Sequence, residues 1–179
     1  LATRKQMAEL FIDAGYQAAA KKFVEWHKAG LMPKEVWGGT GGSQYRDAFD
    51  AWRGEYQGAM DEVRDGRIPF CKLDVLHRRN LDLILPRFKI SGIAENALHY
   101  LNLAWHRLDA WPDVESGMAR LKRRHLLAPC SNGNISLMAD LARRNDWHWD
   151  AITGAELARD YKPKASVYQC AADAFDCAP

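Results

Sequence analysis

The 179-residue sequence predicts an α/β protein with a partial, doubly wound (Rossmann-like) core and an inserted helical bundle that forms a cap. Two short apolar runs, 126–130 and 150–154, each lead through a polar loop into an amphipathic helix, as in a βα unit. Between residues 45 and 108 the apolar residues follow helical spacing without a strand pattern. The predicted division is a core from 1–20 and 107–179, and a cap from 21–106.

The first thirty residues allow two interpretations. They can form an amphipathic helix, with Asp13 as a solvated carboxylate. Alternatively, 10–13 is a short strand that ends at Asp13, although the polar residues 4–6 before it suit a buried strand poorly. The glycine-rich stretch 38–43 follows no strand and precedes no Lys-Ser or Lys-Thr pair, so it is predicted to be a flexible connector.

Three cap helices are predicted, over 45–64, 71–85 and 93–108, with stop signals at Asp65-Gly66 and Pro86. His77 and His106 lie on or near apolar helix faces, where a histidine usually packs rather than binds a ligand. A further helix is predicted over 114–124. The residues expected to face inward in the first two helices are Phe49, Trp52, Tyr56, Met60, Val63, Leu73, Leu76, Leu83 and Ile84.

A candidate anion site follows the first predicted strand, whose uninterrupted apolar run suggests burial on both faces. Ser131 and Asn132 end this strand, and Asn134 is a suitable N-cap for the next helix, whose first-turn amides would be free. Lys162 follows the second strand and would lie at the same sheet edge. The alternative is an ordinary strand-to-helix turn that uses Ser, Asn and Gly only for backbone geometry.

Composition and charge exclude several function classes. The net charge of +2 and pI of about 8.4 are too mild to predict nucleic-acid or anionic-membrane binding, and no apolar run is long enough for a membrane span. Six scattered histidines and four cysteines without metal-ligand spacing predict no metal site and reduced thiols in a cytoplasmic protein. The start at Leu1 and the end at Pro179 suggest a fragment or a trimmed record.

Two motifs carry a resemblance to a known family. The SNGN sequence at 131–134 and the YKP sequence at 161–163 resemble motifs II and III of the haloacid dehalogenase superfamily. The stretches 52–56, 73–78 and 104–113 are similar to the cap of its 2-haloacid dehalogenase (type II) branch. The resemblance extends from about residue 45 to the C-terminus, and the family's fourth motif would lie beyond it.

This resemblance implies hydrolytic dehalogenation of short 2-haloacids through an aspartyl-ester intermediate, without a metal or other cofactor. It assigns the nucleophile to Asp13, although the threonine of the family pattern is missing after it. Lys162 would keep this carboxylate ionised, and Arg53 would contact the substrate carboxylate and the halide. The substrate-binding set is Ser131, Asn132, Arg53, Tyr56, Trp105 and His106, and the family implies a possible homodimer.

Two alternatives remain open from the sequence. A magnesium-dependent phosphatase of the same superfamily would use the same Ser131 and Lys162 for a phosphoryl group, whereas the stretches around Arg53 and His106 favour a dehalogenase. The other alternative is a catalytically inactive, truncated fragment that serves as a binding or oligomerisation module.

Overall fold

The computed structural model describes residues 41–177, so residues 1–40, including Asp13, lie outside the described part. Three helices come first, and two short parallel strands alternate with helices after them, which confirms the predicted α/β class. The elements are α1 (Gly41–Arg64), α2 (Leu73–Arg87), α3 (Glu95–Asn102), a 3₁₀ turn (Leu103–Arg107), α4 (Val114–Lys122), β1 (Cys130–Ser131), α5 (Ile135–Asn145), β2 (Thr153–Gly154), α6 (Ala155–Ala158) and α7 (Ala165–Asp173).

The helical segment packs around the apolar stripe of α1, where Phe49 and Trp52 are buried against α2 and α3. The indole N–H of Trp52 donates to the backbone oxygen of His77 at 2.7 Å, which fixes α1 against α2. Leu83, predicted to face inward, is 45% exposed. The buried face of α2 instead includes His77, Asn80, Leu81 and Ile84. Leu83 directly precedes Ile84, and successive residues of a helix point about 100° apart, so Leu83 lies outside this face.

Several predicted helix boundaries were wrong. Helix α1 begins at Gly41, so the end of the predicted glycine-rich connector is helical. Helix α2 continues through Pro86, where a stop was predicted, and ends at Arg87. A proline in the last turn removes one backbone hydrogen bond without interrupting a following helix. The third predicted helix ends at Asn102 and continues as the 3₁₀ turn.

A second apolar cluster joins the helical segment to the βα units. Met60 of α1 and Leu76 of α2 pack with Ala155 and Tyr161, and all four are essentially inaccessible to solvent. The two parts of the described chain therefore share a core rather than touching only at their rims. The division into a core of 1–20 and 107–179 with a cap of 21–106 stays a prediction.

The sheet of the described part consists of β1 and β2, which pair in parallel with Cys130 opposite Thr153 and Ser131 opposite Gly154. The prediction of a strand over 126–130 buried on both faces was wrong, because Leu126 is 66% exposed and β1 begins at Cys130. Because the described sheet has only two short strands, it does not cover Leu126, where the apolar run begins. No helix within residues 41–177 is long and apolar enough to cross a membrane.

Candidate active site

The loops after the two strands lie side by side at the carboxyl edge of the sheet. The backbone N–H of Lys162 donates to Oδ1 of Asn132 at 2.8 Å, across a peptide unit that precedes a cis Lys162–Pro163 bond. Tyr161 is fully buried, and its hydroxyl donates to the backbone oxygen of Cys71 at 2.7 Å. The two predicted motifs are therefore adjacent, as parallel strands require of loops at one edge.

Asn132 connects this edge to helix α1. Its Nδ2 approaches Sδ of Met60 at 3.4 Å, and it is hydrogen-bonded to Tyr56. Burial raises the pKa of the Tyr56 hydroxyl, and the hydrogen bond to Asn132 and the charge of Arg64 offset this only in part. Tyr56 is thus an uncharged phenol at neutral pH.

The start of helix α5 differs from the sequence prediction. Asn134 precedes the helix as predicted, but its side chain does not cap it and instead donates to Asp74 at 2.8 Å. The carboxylate of Glu156 accepts the N–H of Ile135 at 2.7 Å. A first-turn amide that was expected to be free for a ligand is therefore occupied by a protein anion, which the helix dipole also favours there. Glu156 is in turn paired with Lys72 at 2.8 Å.

A cavity of about 800 Å³ lies between α1, α2, the 3₁₀ turn and α5. Most of its wall is aromatic or aliphatic, and it includes Trp52, Tyr56, Trp105 and Leu137. Arg53 and Ser131 add a cation and a hydroxyl to this wall. Within the described part of the chain, Arg53 forms no ion pair, so its charge is available to a ligand.

Ser131 also shapes its own loop. Its Oγ accepts the backbone N–H of Gly133 at 3.0 Å, which closes a tight turn between β1 and α5. Gly154, opposite Ser131 in the register, has φ +126°. A Cβ at Gly154 would lie 2.1 Å from the backbone oxygen of Ser131, so this position requires glycine for the strands to approach.

The predicted site residues divide into two groups. Arg53, Tyr56, Trp105 and Ser131 line the cavity, whereas Asn132, Lys162 and His106 are not part of its lining. The backbone N–H of Lys162 is held by Asn132, which follows the cavity residue Ser131, and the backbone oxygen of Lys162 accepts a hydrogen bond from Arg64. The roles of all these residues in catalysis stay predictions.

His106 lies in a buried network that joins three elements. Its Nδ1 is 2.7 Å from Asp140 of α5, its Nε2 is 3.1 Å from Asp74 of α2, and its side chain is only 6% exposed. Burial lowers the pKa of His106, but the hydrogen bonds to the two carboxylates outweigh burial, so the pKa is raised. Both ring nitrogens are engaged by protein groups, and the substrate-binding role predicted from the sequence stays a prediction.

His77 is the residue of this cavity that the sequence prediction missed. It is 6% exposed and lines the cavity, and its Nδ1 has no hydrogen-bond partner within residues 41–177. Burial lowers its pKa to about 4 against a smaller opposing effect of Asp74, so the ring is neutral at pH 7. Its sequence position, on the apolar face of a helix, indicated packing, and nothing in the sequence distinguished it from a packing histidine.

No group of three or more His, Cys, Asp or Glu side chains within residues 41–177 is arranged to hold a metal ion. The expectation that the protein needs no cofactor is a separate matter and stays a prediction.

Solved structures that are similar to this chain at more than 30% identity include two haloacid dehalogenases. The L-2-haloacid dehalogenase PA0810 is 34% identical, with a TM-score of 0.79 over 92% of this chain and 66% of that protein. The defluorinating L-2-haloacid dehalogenase Rha0230 is 31% identical, with a TM-score of 0.79 over 91% of this chain and 64% of that protein. The chain belongs to the haloacid dehalogenase superfamily. The resemblance seen in the sequence is thereby confirmed, including its 2-haloacid dehalogenase (type II) branch.

More distant members of the superfamily share the fold. The L-2-haloacid dehalogenase from Xanthobacter autotrophicus, solved with chloropropionic acid covalently bound, is 19% identical with a TM-score of 0.71. This chain spans just under two thirds of the length of the haloacid dehalogenases it matches. No protein-family model matches the sequence, and no curated protein matches it significantly.

Proposed function

We propose that this protein is a hydrolase of carbon–halogen bonds that converts short 2-haloacids to 2-hydroxy acids. The observation that supports this most strongly is the cavity, whose largely aromatic and aliphatic wall includes both Ser131 and Arg53, which has no ion-pair partner in the described part. A 2-haloacid has the same two halves, an anionic carboxylate and a compact apolar carbon–halogen group. The similar proteins PA0810 and Rha0230 are named as L-2-haloacid dehalogenases.

The proposed reaction has two steps. A carboxylate oxygen of Asp13 bonds to carbon 2 of the substrate while the carbon–halogen bond breaks and the electron pair leaves with the halide. Water then adds to the ester carbonyl, a proton is released, the 2-hydroxy acid leaves and the carboxylate is restored. Asp13 lies outside the described residues, so its role is inferred from the family pattern.

The other roles are those that the family resemblance implies. Lys162 stabilises the ionised nucleophile, while Ser131 and Asn132 orient the substrate carboxylate. Arg53 contacts this carboxylate and the departing halide, because a guanidinium offers both a planar fork and a diffuse charge. Tyr56 and Trp105 contact the apolar part of the substrate.

For His106 we propose an indirect role. It is hydrogen-bonded to Asp74, and Asp74 accepts a hydrogen bond from Asn134 at the start of α5. His106 therefore positions the loop that follows Ser131 instead of contacting the substrate.

The test is an assay of halide release from chloroacetate against phosphate release from a generic phosphate ester, each with and without Mg²⁺. We expect halide release that is independent of Mg²⁺ and no phosphate release. Magnesium-dependent phosphate release would favour the phosphatase alternative. Absence of both activities in the folded protein would favour an inactive binding module.

The location and assembly of the protein are also proposed. Its four cysteines, Cys71, Cys130, Cys170 and Cys177, are free, as suits the reducing cytoplasm. A homodimer is proposed from the family resemblance alone. Light scattering coupled to gel filtration measures the molar mass directly, and a monomer at assay concentration would contradict the dimer.

A further inference from the structure

Arg64, the last residue of α1, lies against the loop between α6 and α7. Its Nη1 donates to the backbone oxygen of Lys162, 98 residues away in the sequence. The side chain of Arg64 is only 11% exposed, although charged side chains are mostly exposed to water. The contact joins the helical segment to the backbone of a predicted catalytic residue.

The guanidinium of Arg64 is held in one orientation. A largely buried cation costs free energy unless its N–H groups are paired with acceptors. Asp61, one turn earlier on α1, accepts hydrogen bonds from Nε at 3.0 Å and from Nη2. Oε1 of Gln57 accepts a longer hydrogen bond from Nη2 at 3.4 Å. Because α1 itself engages these two nitrogens, Nη1 is left for Lys162.

Both backbone polar groups of Lys162 are bound by side chains. Its N–H donates to Oδ1 of Asn132 at 2.8 Å, and its carbonyl oxygen accepts the hydrogen bond from Arg64. Within residues 41–177, no carboxylate forms an ion pair with the ammonium group of Lys162. In this part of the chain, the direction of the lysine side chain therefore depends on how its backbone is held.

The two side chains that hold Lys162 are both connected to α1. Arg64 belongs to this helix, and Asn132 is hydrogen-bonded to Tyr56 and lies 3.4 Å from the sulfur of Met60. Helix α1 therefore reaches the Lys162 backbone by two routes, one direct and one through the loop after β1. A contact that only attached the helical segment to the rest of the protein would not need to converge on this one residue.

We propose that Arg64 is a positioning residue, which holds the Lys162 backbone so that the ammonium group stays beside the nucleophile. Arg53 of the cavity wall lies on the same helix, about three turns earlier. Through Arg64, α1 fixes the lysine relative to the cation that binds the substrate. This inference rests on the proposed function for the role of Lys162, whereas the restraint of its backbone can be tested without turnover.

The restraint can be measured on the intact protein by ¹³C-detected NMR. Lys162–Pro163 is the only Lys-Pro pair in the sequence, so labelling with carbonyl-¹³C lysine and ¹⁵N proline gives one carbonyl–nitrogen correlation, that of Lys162. The carbonyl ¹³C shift responds to the loss of a hydrogen bond. Arg64→Gln removes this bond, because the glutamine amide ends near the position of Nε, next to Asp61, and does not reach Lys162.

We expect Arg64→Gln to move the Lys162 carbonyl signal upfield, and Arg64→Lys, which keeps a donor, to move it less. The matched control is Arg67→Gln, which should leave the signal unchanged, because Arg67 is 58% exposed and pairs with Asp65. The same signal in wild type and folded Arg64→Gln, or an equal change in Arg67→Gln, would overturn the proposal. If Arg64→Gln does not fold, Arg64→Met, which keeps the apolar stem, takes its place with the same expectations.

A kinetic measurement separates positioning from a purely structural role. For halide release from 2-chloropropionate, Arg64→Gln should lower kcat by about tenfold or more and change KM by less than about twofold. Arg64→Lys should recover most of the lost kcat. An unchanged kcat, or a KM that rises by the same factor as kcat falls, would overturn the positioning role. If wild type releases no halide while the carbonyl signal moves in Arg64→Gln, the restraint stands and the proposed function is contradicted.

Discussion

At the scale of single residues, His77 and His106 have similar positions in the sequence pattern, on or near apolar helix faces. Their surroundings nevertheless shift their pKa values in opposite directions. His77 is enclosed by aromatic rings, and burial lowers its pKa to about 4. His106 is also buried, but Asp74 and Asp140 raise its pKa. The difference lies in partners from distant parts of the chain, which no local pattern reveals, and it leads to separate predictions for the two residues.

The first prediction concerns stability in acid. His77 is neutral in the folded protein, whereas in the unfolded chain it binds a proton near pH 6.5. Between about pH 6.5 and 4 the unfolded state therefore binds more protons, and the free energy of unfolding falls as the pH falls. The contribution is about 3 kcal/mol at the acid end.

Denaturant unfolding of wild type and His77→Gln at several pH values measures this contribution. The difference between their stabilities is expected to change in favour of His77→Gln as the pH is lowered through this window, since glutamine does not titrate. Parallel pH profiles for the two proteins would show that His77 does not have the lowered pKa.

At the scale of elements, the pairing of β1 with β2 depends on one glycine. Gly154 has φ +126°, and a Cβ there would lie 2.1 Å from the oxygen and 2.5 Å from the nitrogen of Ser131. Both contacts are with backbone, so the strands would have to separate. Gly154→Ala is expected to destabilise the protein by about 3 kcal/mol or more and to displace Ser131.

Thermal or denaturant unfolding measures this effect, with Gly58→Ala as the matched control. Gly58 lies within α1, and a Cβ there meets no atom within 4 Å. The control should stabilise the protein by roughly 0.5–1 kcal/mol, because alanine has the higher helix propensity. Equal stability of Gly154→Ala and wild type would contradict the close approach of the two strands.

The third prediction concerns the network that joins α2, the 3₁₀ turn and α5. Because the pKa of His106 is raised on folding, its ion pairs stabilise the protein fully below about pH 6.5 and are lost as the pH rises through the raised pKa. His106→Gln should therefore cost about 1–3 kcal/mol near pH 6 and less in alkaline solution.

The exposed His125, three residues after the end of α4, provides a control for this measurement. His125→Gln should change the free energy of unfolding by less than about 0.5 kcal/mol at either pH. A cost of His106→Gln that is equal at pH 6 and in alkaline solution would show that its charged form does not hold the three elements together.

Local patterns predicted the elements better than their limits. The periodic stripe of α1 was correct for Phe49, Trp52, Met60 and Val63, since an amphipathic helix has one way to bury its apolar face. The extent of the strands was not predictable, because an apolar run does not show how many neighbouring strands cover it. The hydrogen bond from the N–H of Ile135, at the start of α5, to Glu156 joins residues 21 positions apart, so a local pattern does not predict it.

At the scale of the whole molecule, the sequence motifs placed the loops of Ser131 and Lys162 at one sheet edge, where the structure also has them together through Asn132. Topology made this predictable, because consecutive parallel strands bring their carboxyl ends to the same side. The cavity was not predictable in the same way. It arises where α1 and α2 pack over that edge. One of its polar side chains is His77, which belongs to neither of the two motifs recognised in the sequence.

In the proposed reaction, the cation of this cavity, Arg53, binds the substrate carboxylate. Arg53 is flanked by Trp52, which is buried, and its guanidinium has no ion-pair partner within residues 41–177. Replacing it should leave the fold intact and remove most of the binding energy for an anionic substrate. Arg120, an exposed arginine on α4, is the matched control.

The most direct measurement is kcat/KM for halide release from 2-chloropropionate by wild type, Arg53→Ala and Arg120→Ala, with folding checked by thermal unfolding. We expect halide release by wild type and Arg120→Ala, and a loss of at least about a hundredfold in Arg53→Ala. Halide release by a folded Arg53→Ala at the wild-type rate, or none by the folded wild type, would contradict the proposed function.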